Sequence, residues 1–414
     1  MNTMERILRL MAERKASDIY LSANSPALIR INGNCLPINS QVLPPEAPLN
    51  LLSEVVHQSR IAELERTGEL NMAIQLEGAG NFRISGMRQR GSYAVVVRHI
   101  ALTIPSFDDL HLPDVLKTLV MERRGLILMV GATGVGKSTT LASMLDYRNE
   151  NASGHILTVE EPIEFTFTNK KSMVNQRDVG SDTQSLQLAL KNALRQAPDV
   201  IQIGEIRDRE TMTAAIAYAQ SGHLCVATLH ANNSYRALNR ILSFYPVEVR
   251  PTLLGDLSGA LRAIVAQRLL RTPKGERWPT IEVMLNTALI AEMIEKGDFS
   301  AVKEAMVQSM AEGSQTFEED IARLIGEGRV TREEGLAQAD SPTNLMWRLQ
   351  NRQVPASKRE EEKALMEQSE APSFTDITLD VRVDVCVCVC VHVRAHAERT
   401  QVENHNVSTA RAQT

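Results

Sequence analysis

The chain has 414 residues, 43% of them hydrophobic and 23% charged, with a formal net charge of −5. That length exceeds what one hydrophobic core organises, so two or three domains are expected, and the near-average composition excludes a wholly disordered or fibrous chain. The acidic balance supplies no overall basic field of the kind that draws a protein to phosphate backbones, so no nucleic-acid partner is expected.

Glu5, Arg6 and Arg9 interrupt any signal-peptide stretch at the amino terminus. With no run of about 18 uncharged apolar residues elsewhere, a cytoplasmic chain is expected. Ile7, Leu8, Leu10 and Met11 recur at helical spacing and predict a helix over residues 4–14. Short apolar runs at 19–21, 27–31, 72–76, 81–85 and 93–98 predict strands, divided by turn residues such as Asn32-Gly33 and Gly78-Ala79-Gly80. A helix is expected over 51–64. Residues 1–100 therefore read as a small α+β domain, and residues 101–113, with Pro105 and Pro113, as a linker.

From Gly125 the runs LILMV, HILTVE, DVIQIGE and HLCVATLH alternate with polar or helical sequence. This is the rhythm of a parallel sheet with helices on its faces, so an α/β core is expected over 114–285. Asp208 is placed to cap a helix beginning near Arg209, and Thr331 with Glu334 forms a capping-box pattern. Residues 286–349 read as a helical subdomain.

The tail, 350–414, opens with charged sequence and reaches a Val-Cys alternation around Cys386, Cys388 and Cys390. A GT dinucleotide repeat is translated as that alternation, so the tail is expected to be disordered or adventitious, a repeat tract or frameshift. The other reading is a Cys-x-Cys-x-Cys metal site, which lacks a second cluster to complete a tetrahedral set. The five cysteines make no disulfide framework, and a reducing compartment fits them.

The pattern G-x-x-x-x-G-K-[ST] occurs at Gly131, Gly136, Lys137 and Ser138, between an apolar strand and a helix-compatible run. Glycines, Gly134 among them, let backbone amides close around phosphate. Lys137 brings a point charge to the phosphates, Ser138 offers a hydroxyl to Mg²⁺, and Thr133 and Thr139 flank them; the ligands expected are ATP and Mg²⁺. Such a loop needs an acidic partner on a neighbouring strand, and Glu205 in DVIQIGEIRD is the leading hydrolytic carboxylate. Glu160, Glu161 and Glu164 follow another apolar run and are expected to face the same crevice, while His223 and His230 flank one strand.

With those stretches in view, GATGVGKSTT, ILTVEEPIEF, VIQIGEIRDRET and SGHLCVATLHA resemble the Walker A, Asp box, Walker B and His box of secretion-type hexameric ATPases. ASDIYLS, NFRIS, NALRQAPDV and GHLCVATLHANN are similar to the type IV pilus retraction ATPases, the PilT/PilU family, and to its PilU branch in particular. The resemblance covers residues 1–349. It implies a homo-hexameric cytoplasmic motor at the inner-membrane pilus base, with a PAS-like amino-terminal domain, a RecA-like core and ATP held between them. A companion PilT-type retraction ATPase and an inner-membrane pilus platform protein are the partners it implies.

Carried over by motif, Lys137 and Ser138 bind phosphate and Mg²⁺, Glu205 polarises water, Glu160 and Glu164 supply the Asp-box acids, and His223 and His230 sense the nucleotide. Arg83 and Arg98 would offset charge on the γ phosphate. Glu161 stands where the Asp box usually has Asp, and NTALIAEMIEKG lacks the Ala-Ile-Arg-Asn-Leu signature of the PilT branch. Two rivals are a pilus-assembly or type II secretion ATPase, weakened by the lack of any Cys-x-x-Cys, and an accessory subunit with little turnover of its own. A nucleic-acid motor ranks last.

Overall fold

Two sheets organise the chain in a computed structural model that describes residues 2–31, 34–100, 103–308 and 311–352. The Asn32-Gly33 turn and the Val-Cys tail lie outside the described residues.

The first helix, α1 (Thr3–Glu13), buries Met4, Leu8 and Met11, one stripe at helical spacing, and Asn2 caps it by accepting from the Glu5 amide. Then come β1 (Asp18–Ser22), β2 (Pro26–Ile31), β3 (Asn34–Val42), α2 (Ala47–Ser53), α3 (Gln58–Thr67), β4 (Glu69–Leu76), β5 (Gly80–Gln89) and β6 (Ser92–Ile100). The strands form one antiparallel sheet in the order β3-β2-β1-β6-β5-β4. Its covered face puts Ile19, Leu21, Phe82, Ile84, Val95 and Val97 against the apolar sides of the three helices.

Two sequence expectations change here. The single helix over 51–64 is two, because the backbone becomes extended at His57, whose ring accepts from the Ser59 amide and starts α3 afresh. Strand β3 was not expected, because none of its nine residues is buried and it shows no apolar alternation.

The second sheet follows α4 (Val115–Val120). Its chain order is β7 (Gly125–Val130), α5 (Lys137–Asn151), β8 (Gly154–Glu160), β9 (Ser172–Asp178), α6 (Leu186–Ala193), β10 (Val200–Ile203), α7 (Arg209–Gln220), β11 (Leu224–Leu229), α8 (Ser234–Ser243), α9 (Arg250–Ala260), β12 (Leu261–Arg271) and β13 (Arg277–Leu285). In space the strands run β13-β12-β7-β11-β10-β8-β9, all parallel except the β12–β13 hairpin. Every residue of β7, β10 and β11 is buried, the mark of a parallel sheet covered on both faces. Ile127, Met129 and Val265 meet α4 and α5 on one face. Leu126, Leu128, Ile264 and Ala266 meet the other helices on the opposite face.

The carboxy-terminal part is helical, as expected: α10 (Ala288–Lys296), α11 (Val302–Gln308), α12 (Phe317–Gly326), α13 (Arg332–Gln338) and α14 (Pro342–Arg352). Asp208 caps α7 by accepting from the Thr211 amide. Thr331 caps α13, but only half of the anticipated box forms: the Glu334 carboxylate accepts from the Arg271 amide on β12 instead of returning to Thr331. The full capping box is at Thr316 and Glu319, ahead of α12. Thus the α/β class read from the sequence is the observed one, a parallel-rich phosphate-loop sheet with a smaller α+β part before it and helices after it. No helix among the described residues is long and apolar enough to cross a membrane.

Candidate functional site

The carboxyl ends of β7, β8, β10 and β11 open on one crevice, the position where open parallel sheets hold ligands. A cavity of about 500 Å³ lies there, and the antiparallel sheet forms part of its wall. Thr133, Gly134, Gly136, Lys137, Ser138, Thr139, Glu160, Glu164, Glu205, His230, Arg83 and Arg98 all line it.

The loop between β7 and α5 is shaped by its glycines. Gly136 has φ +89° at the start of α5, and a Cβ there would come within 2.9 Å of the Gln267 side-chain nitrogen. At Gly131 a Cβ would lie 2.7 Å from the Gln267 carbonyl oxygen. Gly131 itself does not line the cavity; its carbonyl and that of Ala132 each accept from Lys137 Nζ at 2.8 Å. Burial lowers the Lys137 pKa, against the opposing pull of Glu205 and Glu164.

Glu160 ends β8, 8% exposed, accepting from Thr158 Oγ1 at 2.7 Å and Gln176 Nε2 at 3.3 Å. Burial dominates and pushes its pKa up to about 7. Glu205 follows β10 and is held at both oxygens: Oε1 is 2.9 Å from His230 Nε2, and Oε2 accepts from Arg207 Nε at 2.7 Å. Arg207 also reaches Glu161, Nη1 to Oε2 at 3.0 Å. The acid standing where Asp was expected therefore pairs with the arginine that grips Glu205.

His223 is not brought to this cavity. It precedes β11 whereas His230 follows it, and a six-residue strand separates them by roughly 20 Å. Its Nδ1 lies 3.1 Å from Ser221 Oγ.

From the antiparallel sheet, Arg83 on β5 and Arg98 on β6 are direct cross-strand partners. Like charges in that register repel unless an anion sits against them. Asp18 neutralises one, accepting from Arg98 Nε at 2.9 Å.

The donor set suits a polyanion carrying a hard cation. Two arginines, Lys137 and the amino-terminal end of α5 supply positive charge. Ser138 and the carboxylates supply oxygen ligands, and the buried Oε1 of Gln202, which also lines the cavity, has no hydrogen-bond partner. Among the described residues no group of three or more His, Cys, Asp and Glu side chains could hold a metal by itself.

Arg207, Gln202 and Gln267 were not singled out from the sequence. Arg207 lies within the quoted Walker B run, and its spacing of two from Glu205 was a readable signal. Gln267 is the polar break in the apolar run AIVAQ, legible only once β12 is known to flank the loop strand.

Residues 1–372 match the family described as type II/IV secretion system protein. The type IV pilus ATPase PilU of Pseudomonas aeruginosa is 45% identical over 342 residues, which is 82% of this chain and 90% of that protein. The type IV pilus retraction ATPase PilT of the same organism is 33% identical over 339 residues, 82% of this chain and 98% of that protein. A crystal structure of the pilus retraction motor PilT with bound ADP aligns with a TM-score of 0.77 at 36% identity, covering 83% of this chain and 98% of that one.

Proposed function

This chain belongs to the type II/IV secretion system protein family, and on that premise we propose that it is an ATP-hydrolysing motor subunit that assists type IV pilus retraction and twitching motility. The observation that carries the reading is the cavity where the glycine loop, the strand-end glutamates, His230 and the arginine pair converge. The ADP in the PilT structure supports a nucleotide as its occupant.

The roles follow from position. Lys137, Ser138 and the amides around Gly134 and Gly136 hold the phosphates. Glu205, beside His230, takes the proton of the attacking water. Arg83 and Arg98, which line the same cavity, would offset charge developing on the γ phosphate, since preorganised cations lower the barrier without reorganising in the step. Mg²⁺, when bound, would draw charge from the phosphate oxygens, with Ser138 as its protein ligand. Glu160 and Glu164 give the cavity its acidic side.

The assembly proposed is a homo-hexamer working at the cytoplasmic side of the inner-membrane pilus base, with a PilT-type motor and a pilus platform protein as partners. The relatives' names support a pilus context.

One observation favours a second reading, an accessory subunit with little turnover of its own: Arg207 and His230 between them occupy both carboxylate oxygens of Glu205, the atoms an attacking water would need. Steady-state phosphate release by the purified full chain, with Glu205→Ala as control, separates the two. Turnover well above the control is expected, and turnover equal to it would leave only the accessory reading.

A further inference from the structure

Gln267 and Arg268 are neighbours on β12, and because side chains alternate along a strand they project to opposite faces of the sheet. Gln267 faces α5 and is 4% exposed. Its Oε1 accepts from Thr140 Oγ1 at 2.8 Å, and its Nε2 donates to the Val135 carbonyl at 2.8 Å. One amide thus joins the glycine loop to the first turn of α5. The backbone of the same residue lies against Gly131.

Arg268 faces the other way. It donates to the carbonyls of Gln338 and, at 3.0 Å, Asn232, pairs with Asp340, and lies over the Phe317 ring, its guanidinium carbon 4.0 Å from the centroid. Asn232 is two residues past His230. Asn233, the cap of α8, also donates to Asp340, at 2.7 Å. Asp340 lies between α13 and α14.

We infer that Gln267 and Arg268 are a positioning pair coupling phosphate binding at the glycine loop to the α13–α14 junction, an inference that rests on reading residues 131–139 as the nucleotide site. The Lys137 ammonium is held by the carbonyls of Gly131 and Ala132. A phosphate that draws the ammonium to itself releases those carbonyls, and the loop backbone rearranges beside Gln267. Residues 267 and 268 share a peptide plane, so displacement of one moves the other. The guanidinium is a rigid fork of five donors, and it carries that displacement to the loop after His230, to the end of α13 and to Asp340 together. Both sites then bias one bonded network, the physical requirement for coupling.

Hydrogen–deuterium exchange on the full chain, with and without ADP and Mg²⁺, tests this. In the wild type, nucleotide should slow exchange at residues 131–140 and, by roughly threefold or more, at residues 338–349. Arg268→Lys keeps the charge but lacks the fork, and Asp340→Asn removes its ionic partner; each should retain the first response and lose the second. Gln267→Glu keeps the size but lacks the donor to Val135, and should weaken ADP binding about tenfold. Distal protection that survives in both Arg268→Lys and Asp340→Asn, or that is missing from the wild type, overturns the coupling. A wild type without protection at 131–140 instead rejects the nucleotide-site reading.

Discussion

The two sheets reach the same cavity by different physical routes. In the parallel sheet both faces are covered, every residue of β7, β10 and β11 is buried, and chemical groups are presented at or next to the strand ends. Glu160, Glu205 and His230 all occupy such ends, where backbone groups leave the ladder and accept new partners. The antiparallel sheet covers one face with helices, so its contribution, Arg83 and Arg98, comes from cross-strand partners within β5 and β6. One sheet offers acids and a base fixed by chain direction, and the other offers cations fixed by strand register.

That division is sharpest in turnover. Glu205→Gln is nearly isosteric and removes the base, so kcat should fall by about 10³-fold, within the range for general-base loss, while ADP affinity stays within about threefold. Steady-state phosphate release beside ADP titration measures both. A Glu205→Gln enzyme with wild-type kcat would take the base away from the parallel sheet.

Arg83→Ala should lower kcat by about 10²-fold, again with little effect on ADP affinity, because its work is on charge that develops at the γ phosphate. Arg98→Ala should do the same and also leave Asp18 with Arg30, at 3.5 Å, as its remaining ionic partner. If the arginine variants weaken ADP binding and leave kcat unchanged, the antiparallel sheet binds substrate without stabilising the transition state.

Glu160 tests the burial of the strand ends through pH. Its folded pKa of about 7 lies above the ordinary 4.5, so the folded state holds the proton more tightly than the unfolded one. Stability falls as pH rises from 4.5 through 7, and the full penalty, on the order of 3 kcal/mol, is present above that. Glu160→Gln cannot ionise and should therefore gain stability over the wild type at pH 8.5 while gaining none near pH 4.5. Urea midpoints across that range measure the difference, and a constant offset would show that Glu160 is not the group responsible.

How much of this was legible depended on which sheet was being read. LILMV, HILTVE, DVIQIGE and HLCVATLH are short, predominantly apolar runs, and the acids were visible because each comes at the end of such a run. The additions to that sheet were not. β9, SMVNQRD, is a polar edge strand, and β12 with β13 is an antiparallel hairpin that breaks the strand–helix rhythm. Gln267 was hidden with them. On the antiparallel side, Arg83 and Arg98 were named from the resemblance, and only the register of β5 with β6 makes them opposed charges. His223 was also named from the resemblance: its place at the opposite end of the strand from His230 was legible in the sequence, and it does not line the cavity.

The smallest effect expected separates the sheets by stability alone. Leu36 sits on β3, 50% exposed on a strand that buries no residue, so Leu36→Ala removes little surface that folding takes from water. Its cost should be no more than about 0.5 kcal/mol. Ile203, at the end of β10 and fully buried between helices on both faces, should cost about 2–5 kcal/mol when cut to Ala, because the transfer term and the cavity it leaves add together. Paired urea titrations of the two variants read the contrast directly. A Leu36→Ala penalty approaching that of Ile203→Ala would mean that β3 is covered in solution, most simply by another copy of the chain, and the open edge of the antiparallel sheet would then be an assembly surface.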